Sequence, residues 1–142
     1  VKPDSFTFNS VINALTRCRK KDSGERAEAV LNHLLEFGSK FSPNAKADSR
    51  SFSHILDHYA RSREPGAALR AEKLLHKMIN YFENGHNVAP NVFCFTAVIN
   101  AYAKNRDPKA GIVATQMKDL QTSLYEKYGL LKLKPNTFLM NA

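Results

Sequence analysis

The 142 residues, 16.0 kDa, make one domain or a short repeat array, and an apolar fraction of 43% is enough to bury a core. Lys and Arg number 21 against 13 Asp and Glu, a charge of +8 with a pI near 9.6, which points to an acidic partner, either nucleic acid or an anionic membrane surface. No run approaches the roughly 20 apolar residues of a membrane span, and Cys18 and Cys94, 76 positions apart without a Cys or His at ligand spacing, argue against a zinc site or a disulfide framework.

Along the chain, one pattern recurs. Phe6-Thr-Phe-Asn-Ser-Val-Ile-Asn-Ala-Leu15, Arg50-Ser-Phe-Ser-His-Ile-Leu-Asp-His-Tyr59 and Phe93-Cys-Phe-Thr-Ala-Val-Ile-Asn-Ala-Tyr102 align without gaps, and Phe138-Leu-Met-Asn-Ala142 starts a fourth copy. Their shared aromatic or Met falls at Phe8, Phe52, Phe95 and Met140, at steps of 44, 43 and 45 residues. A fixed period of this length signals a repeat architecture.

In the first copy Phe8, Val11, Ile12 and Leu15 follow the i, i+3, i+4, i+7 spacing of one helix face, and Ala27, Val30, Leu31, Leu34 and Leu35 form a second such face. The second copy repeats this with Phe52, Ile55, Leu56 and Tyr59, then Ala71, Leu74, Leu75, Met78 and Ile79. The third has Phe95, Val98, Ile99 and Tyr102, then, less regularly, Val113, Met117, Leu120 and Leu124. Each second helix is expected to begin after Asp22-Ser23, Glu64-Pro65 or Asp107-Pro108, where a polar cap and a first-turn Pro are favoured. Each is expected to end near Gly38, Gly85 or Gly129, residues suited to a left-handed cap.

A hairpin with one apolar stripe per helix cannot bury that stripe alone, so the units are expected to stack. The fold class read from this pattern is all-α, an α-solenoid of antiparallel helix-turn-helix repeats at about 5–48, 49–91 and 92–136, with a fourth starting at 137–142. The chain opens at Val1 in what reads as mid-motif, so any targeting peptide is expected upstream.

Lys2-Pro-Asp-Ser-Phe-Thr-Phe-Asn-Ser-Val-Ile-Asn-Ala-Leu15, Ala89-Pro-Asn-Val-Phe-Cys-Phe-Thr-Ala-Val-Ile-Asn-Ala-Tyr-Ala-Lys104 and Lys134-Pro-Asn-Thr-Phe-Leu-Met-Asn141 resemble the pentatricopeptide repeat family, in a long-repeat variant. A tetratricopeptide repeat would show a Trp, and this chain has none. The units are longer than the roughly 34 residues of such repeats, and the second copy has Ala47-Asp48 where the others have Pro-Asp or Pro-Asn, while Pro43-Asn44 sits four residues early.

The resemblance implies a right-handed superhelix that binds single-stranded RNA, one base per unit read by two or three side chains. Carried over by position, the first readers are Asn9, Ser53, Thr96 and Asn141, and the closing readers are Asp48, Asn91 and Asn136, with Asp4 closing a preceding unit. By the family's pairing rules Asn9 with Asp48 resembles a uridine reader, and Ser53 with Asn91 and Thr96 with Asn136 resemble adenosine readers, giving 5′-UAA-3′. Phe6, Arg50, Phe93 and Phe138 occupy the positions that flank bases in the family. The resemblance also implies a mitochondrial or chloroplast location and a part in RNA processing, stability or translation.

Each of these residues also has a local reading. An Asp or Asn before a helix is a good N-cap whatever the protein binds, the polar readers fit a tolerant surface, and Phe6, Phe93 and Phe138 fit a core between repeats. Arg17, Arg61 and Lys104 recur in register, suiting a phosphate track as well as a cation at a helix C-terminus.

No Gly-rich phosphate loop, Gly-x-Ser-x-Gly turn or deaminase motif occurs. His54 and His58 have metal-pair spacing, but Ile55 stands where a zinc protease places Glu, and His33, His76 and His86 read as packing or surface residues. The expected protein is therefore not an enzyme and uses no cofactor, metal, membrane or small-molecule substrate. Its partner is single-stranded RNA, with the outer helices left for proteins. The competing readings are a protein-interaction scaffold of the same architecture and a subunit tethered to RNA that acts through another domain.

Overall fold

The computed structural model describes residues 5–18, 20, 22–41, 46–64 and 66–129. They form six helices and no strand: α1 Ser5–Arg17, α2 Ser23–Phe41, α3 Ser49–Arg61, α4 Ala67–Glu83, α5 Val92–Lys104 and α6 Ala110–Tyr128. Each odd-numbered helix pairs with the next as an antiparallel hairpin, called units 1 to 3 below. The odd helices pack side by side in the order α1, α3, α5. Behind them α2 touches α1 and α3, α4 touches α3 and α5, and α6 touches α5.

The apolar stripes meet in one continuous core. Ile12, Phe52, Ile55, Leu56, Phe95 and Val98 of the odd helices are fully buried, together with Leu31, Leu75 and Met78 from the helices behind. Burying a side chain of this size contributes roughly 1.5–3 kcal/mol, so stacking supplies what a lone hairpin lacks. Val11 is 44% exposed although Ile55 and Val98, its counterparts in register, are fully buried. α3 and α5 are flanked by an odd helix of the unit before, whereas α1 has no such neighbour among the described residues.

One buried tyrosine ties each of units 2 and 3 to the unit before it. The Tyr59 hydroxyl donates to Glu28 Oε1 at 2.6 Å, and the Tyr102 hydroxyl donates to Glu72 Oε2 at 2.7 Å. Burial first, and the neighbouring carboxylate second, push both phenols well above the ordinary tyrosine value. The rear helices are cross-linked by polar groups: Arg70 pairs with Glu25 at 2.9 Å, Lys77 donates to Asn32, and Glu83 meets Lys127 at 3.3 Å and Tyr128 at 2.9 Å.

The helix ends depart from expectation at three places. α2 runs through Gly38 to Phe41, because one glycine costs a helix only about 1 kcal/mol and does not by itself stop it. α4 and α6 begin without a side-chain cap: Gly66 and Lys109 hold the cap positions. Glu64 offers only its backbone carbonyl, to the Ala67 N–H, and Asp107 Oδ1 takes the Lys109 N–H at 2.8 Å, closing the turn before the helix. The C-terminal expectation holds at Gly85 (φ 94°) and Gly129 (φ 64°). After Gly85 the His86 N–H reaches back to the Tyr81 carbonyl, which satisfies an end carbonyl of α4. α5 ends in the same way on Arg106, a non-glycine residue at φ 51°.

Candidate nucleic-acid interface

Each odd helix is 13 residues long, so equivalent positions fall at equal depths. Phe6, Arg50 and Phe93 are the second residues, Asn9, Ser53 and Thr96 the fifth, and Arg17, Arg61 and Lys104 the last. Stacking therefore arranges three rows across α1, α3 and α5. From fifth residue to last is about 12 Å along the helix axis, so the polar row and the basic row lie at opposite ends of the face.

At the polar end, Asn9, Ser53 and Thr96 are all half-buried. Asn9 Nδ2 donates to Asp48 Oδ1 at 3.2 Å, joining two residues 39 apart in sequence. Asp48 is also the N-cap of α3, where Oδ1 accepts from the backbone N–H of Arg50 at 3.0 Å and of Ser51 at 3.2 Å. Ser51 completes a capping box by accepting the Asp48 N–H at 3.2 Å, and its hydroxyl donates to Asn9 Oδ1 at 2.6 Å. Asn91 caps α5 through the Cys94 N–H at 3.1 Å, and Ser53 Oγ donates to the Arg50 carbonyl within its own helix at 3.3 Å. Asp4, Asn136, Phe138, Met140 and Asn141 lie outside the described residues.

Beside the polar row, Phe6 is 77% and Phe93 48% exposed, and Arg50 is exposed too. A core role for Phe93 between α3 and α5 is therefore not seen, whereas Phe6 lies on α1, which has no preceding helix among the described residues to cover it. Phe93 stays open even though α3 packs against α5, because it projects from the second position of the helix while Cys94 and Phe95, both fully buried, take the packed side.

At the basic end, Lys104 Nζ donates to the Arg61 backbone carbonyl at 2.8 Å, so it also caps the end of α3. Arg61 pairs with Asp57 at 3.0 Å, both exposed, an arrangement worth little in water. Arg17 has no described carboxylate partner.

Arg17 and Arg61 line a cleft of about 550 Å³ between the turns of units 1 and 2, with Lys20, Arg63 and Arg70 facing it against Glu25 and Glu64. Lys20, Arg63 and Arg70 were missed in the sequence, although a signal existed for Arg63: Arg19, Arg63 and Arg106 recur at steps of 44 and 43. Arg19 lies outside the described residues. The field there is felt by Cys18, whose thiol sits below its ordinary value, first through a hydrogen bond from the Lys20 backbone and further through Ser23 and the charges of Lys20 and Arg26.

Among the described residues no group of His, Cys, Asp and Glu can hold a metal ion. His58 Nδ1 instead bonds the Thr16 carbonyl at 2.9 Å. No described helix is long and apolar enough to cross a membrane.

The model of one family, described as PPR repeat, matches residues 93–112, which run from the exposed Phe93 through α5 into the start of α6. This match covers one repeat, and it supports reading the chain as a pentatricopeptide repeat protein. The all-helical hairpin array is the solenoid expected of this family, whose members are in general helical-repeat RNA-binding proteins without enzymatic activity and are commonly organellar. No curated protein and no solved structure matches the chain.

Proposed function

We propose that this chain is a pentatricopeptide repeat protein that binds single-stranded RNA across α1, α3 and α5, with the bases at the N-terminal end of these helices and the phosphates toward the basic end. The observation that carries the reading is the bond between Asn9 and Asp48, which brings the first reader and the closing reader of unit 1, 39 residues apart, together at one place. A base edge needs a donor and an acceptor side by side, and this pair supplies both. Exposed Phe6, Arg50 and Phe93 beside the readers offer two aromatic faces and a guanidinium plane for stacking, worth about 1–3 kcal/mol per base.

In this reading the units are 5–48, 49–91 and 92–136, and their pairs Asn9 with Asp48, Ser53 with Asn91 and Thr96 with Asn136 select 5′-UAA-3′. Asn141 and Phe138 belong to the next unit. The biological setting proposed is organellar RNA processing, stability or translation, by occupancy of the RNA rather than by catalysis.

Arg17, Arg61 and Lys104 supply affinity without sequence preference. Replacing all three with Ala is expected to weaken binding of a UAA-containing oligonucleotide and of a scrambled one alike. Each lost phosphate contact on a single strand flattens the slope of log K against log salt by about 0.7, so the three together should flatten it by about 2. A slope equal to that of the unaltered chain would remove the phosphate track.

A further inference from the structure

We propose that Ser51 is a positioning residue that locks the reader pair of unit 1, so that the chain discriminates more strictly at the nucleotide facing unit 1 than at the one facing unit 2. The proposal rests on the RNA-binding reading above and adds to it a residue that the two-reader scheme does not contain.

The argument starts from the hydroxyl proton. Ser51 is fully buried, and its one proton has two acceptors in reach, Asn9 Oδ1 at 2.6 Å and Asp48 Oδ1 at 3.3 Å. The nearer one takes it. Asn9 Oδ1 is thereby committed to an inward bond, while Nδ2 is committed to Asp48. The reversed amide would set the Asn9 carbonyl oxygen against the Asp48 carboxylate, two acceptors facing each other with no proton between them.

Asp48 is held as firmly. All the hydrogen bonds it accepts from described residues fall on Oδ1, and its own N–H is tied to Ser51 Oγ. Among the described residues this leaves one Nδ2 hydrogen of Asn9 and Asp48 Oδ2 unengaged, a donor and an acceptor of fixed identity. Because Asn9 and Ser51 belong to different units, the lock exists only in the stacked array.

Unit 2 has no such lock. The register of Ser51 is taken by Cys94, fully buried, with its Sγ 3.8 Å from Met78 Sδ. Ser53 bonds back into its own helix, and among the described residues Asn91 is engaged only as the cap. A rigid, correctly oriented pair discriminates because a mismatched edge leaves a buried polar group unmatched; a pair free to rotate relaxes to suit another base.

The test uses the full 142-residue chain and fluorescein-labelled single-stranded RNAs in which the nucleotide facing unit 1, or the one facing unit 2, is varied through all four bases. The unaltered chain is expected to discriminate more strongly at the first than at the second. S51C, which carries the residue of Cys94 at this register, and S51A should each lower discrimination at the first nucleotide about fivefold, the worth of one hydrogen bond. The second nucleotide should be unaffected, and S51T, which keeps the hydroxyl, should retain the original preference. A loss of capping alone would lower the melting temperature and weaken all sequences equally, without moving the preference at a single nucleotide. Unchanged discrimination in both S51A and S51C, with RNA still bound, overturns the lock and leaves RNA binding intact. Failure of the unaltered chain to bind any of the RNAs overturns the RNA-binding reading itself.

Discussion

Gly24 and Gly111 are each the second residue of a rear helix, and the same substitution is expected to act in opposite directions at the two sites. A Cβ on Gly24 would lie 2.6 Å from Tyr59 Cε1, 2.9 Å from Cζ and 3.0 Å from the hydroxyl oxygen, whereas a Cβ on Gly111 meets no described atom within 4 Å. Ordinary carbon contacts are about 3.5–4.0 Å, so G24A must push the Tyr59 ring back by roughly 1 Å. The Tyr59 hydroxyl is only 2.6 Å from Glu28, and a retreat of that size stretches the bond beyond hydrogen-bonding range.

A hydrogen bond to a charged group is worth about 1.5–3 kcal/mol, and overpacking adds about 1–3 kcal/mol. Against these stands a gain of up to about 1 kcal/mol for replacing glycine in a helix. These costs overlap, so G24A should destabilise by about 1–3 kcal/mol, while G111A should stabilise by up to about 1 kcal/mol. Urea titration followed by circular dichroism reads the difference: with mid-range values and a slope of about 2 kcal/mol per molar, the two midpoints should separate by roughly 1 M. On a Tyr59→Ala background G24A should lose its penalty. Equal midpoints for G24A and G111A would refute the close approach of Gly24 to Tyr59, and with it the packing that sets unit 1 against unit 2.

F93A should weaken RNA binding by about 1–3 kcal/mol, the value of one stacked base, with a stability change near 0.5 kcal/mol for a half-exposed side chain. F95A, two residues on and fully buried, should cost about 3–5 kcal/mol of stability; thermal melts and anisotropy titrations separate the two effects, and an F93A chain as unstable as F95A would return Phe93 to the core. The raised phenols of Tyr59 and Tyr102 dictate an alkaline limit. Because the folded state holds these protons more tightly than the unfolded chain, their contribution is complete below the ordinary tyrosine value near pH 10 and is lost as pH climbs from there toward the folded values. The alkaline fall in melting temperature should therefore be shallower in Y59F/Y102F, and an identical pH profile would contradict the cause assigned here.

Much of the architecture was legible because a helix turns every 3.6 residues. The positions of Phe52, Ile55, Leu56 and Tyr59 can share a face only in a helix, and all four are buried in α3. The same register aligns Asn9 with Ser53 and Thr96, and Arg17 with Arg61 and Lys104, so the candidate rows follow from the period of the chain. Caps were less legible. Asp48 and Asn91 cap as short polar side chains do, but Glu64 and Asp107 work through a backbone carbonyl and a turn, since which group reaches the orphan N–H depends on the path of the turn.

The sequence by itself determined the all-helical fold, the period of the units and the equivalence of positions between them, since these follow from local spacing and from the need of each apolar stripe for a partner. Only the tertiary structure decided which equivalent residues touch. Ser51 reads as one more polar residue between Arg50 and Phe52 until stacking carries it to Asn9, 42 residues away, and Tyr59 finds Glu28 at 31. A hydrogen bond between units depends on how two helices cross and on a few tenths of an ångström, quantities that arise from packing and leave no trace in the period of the chain.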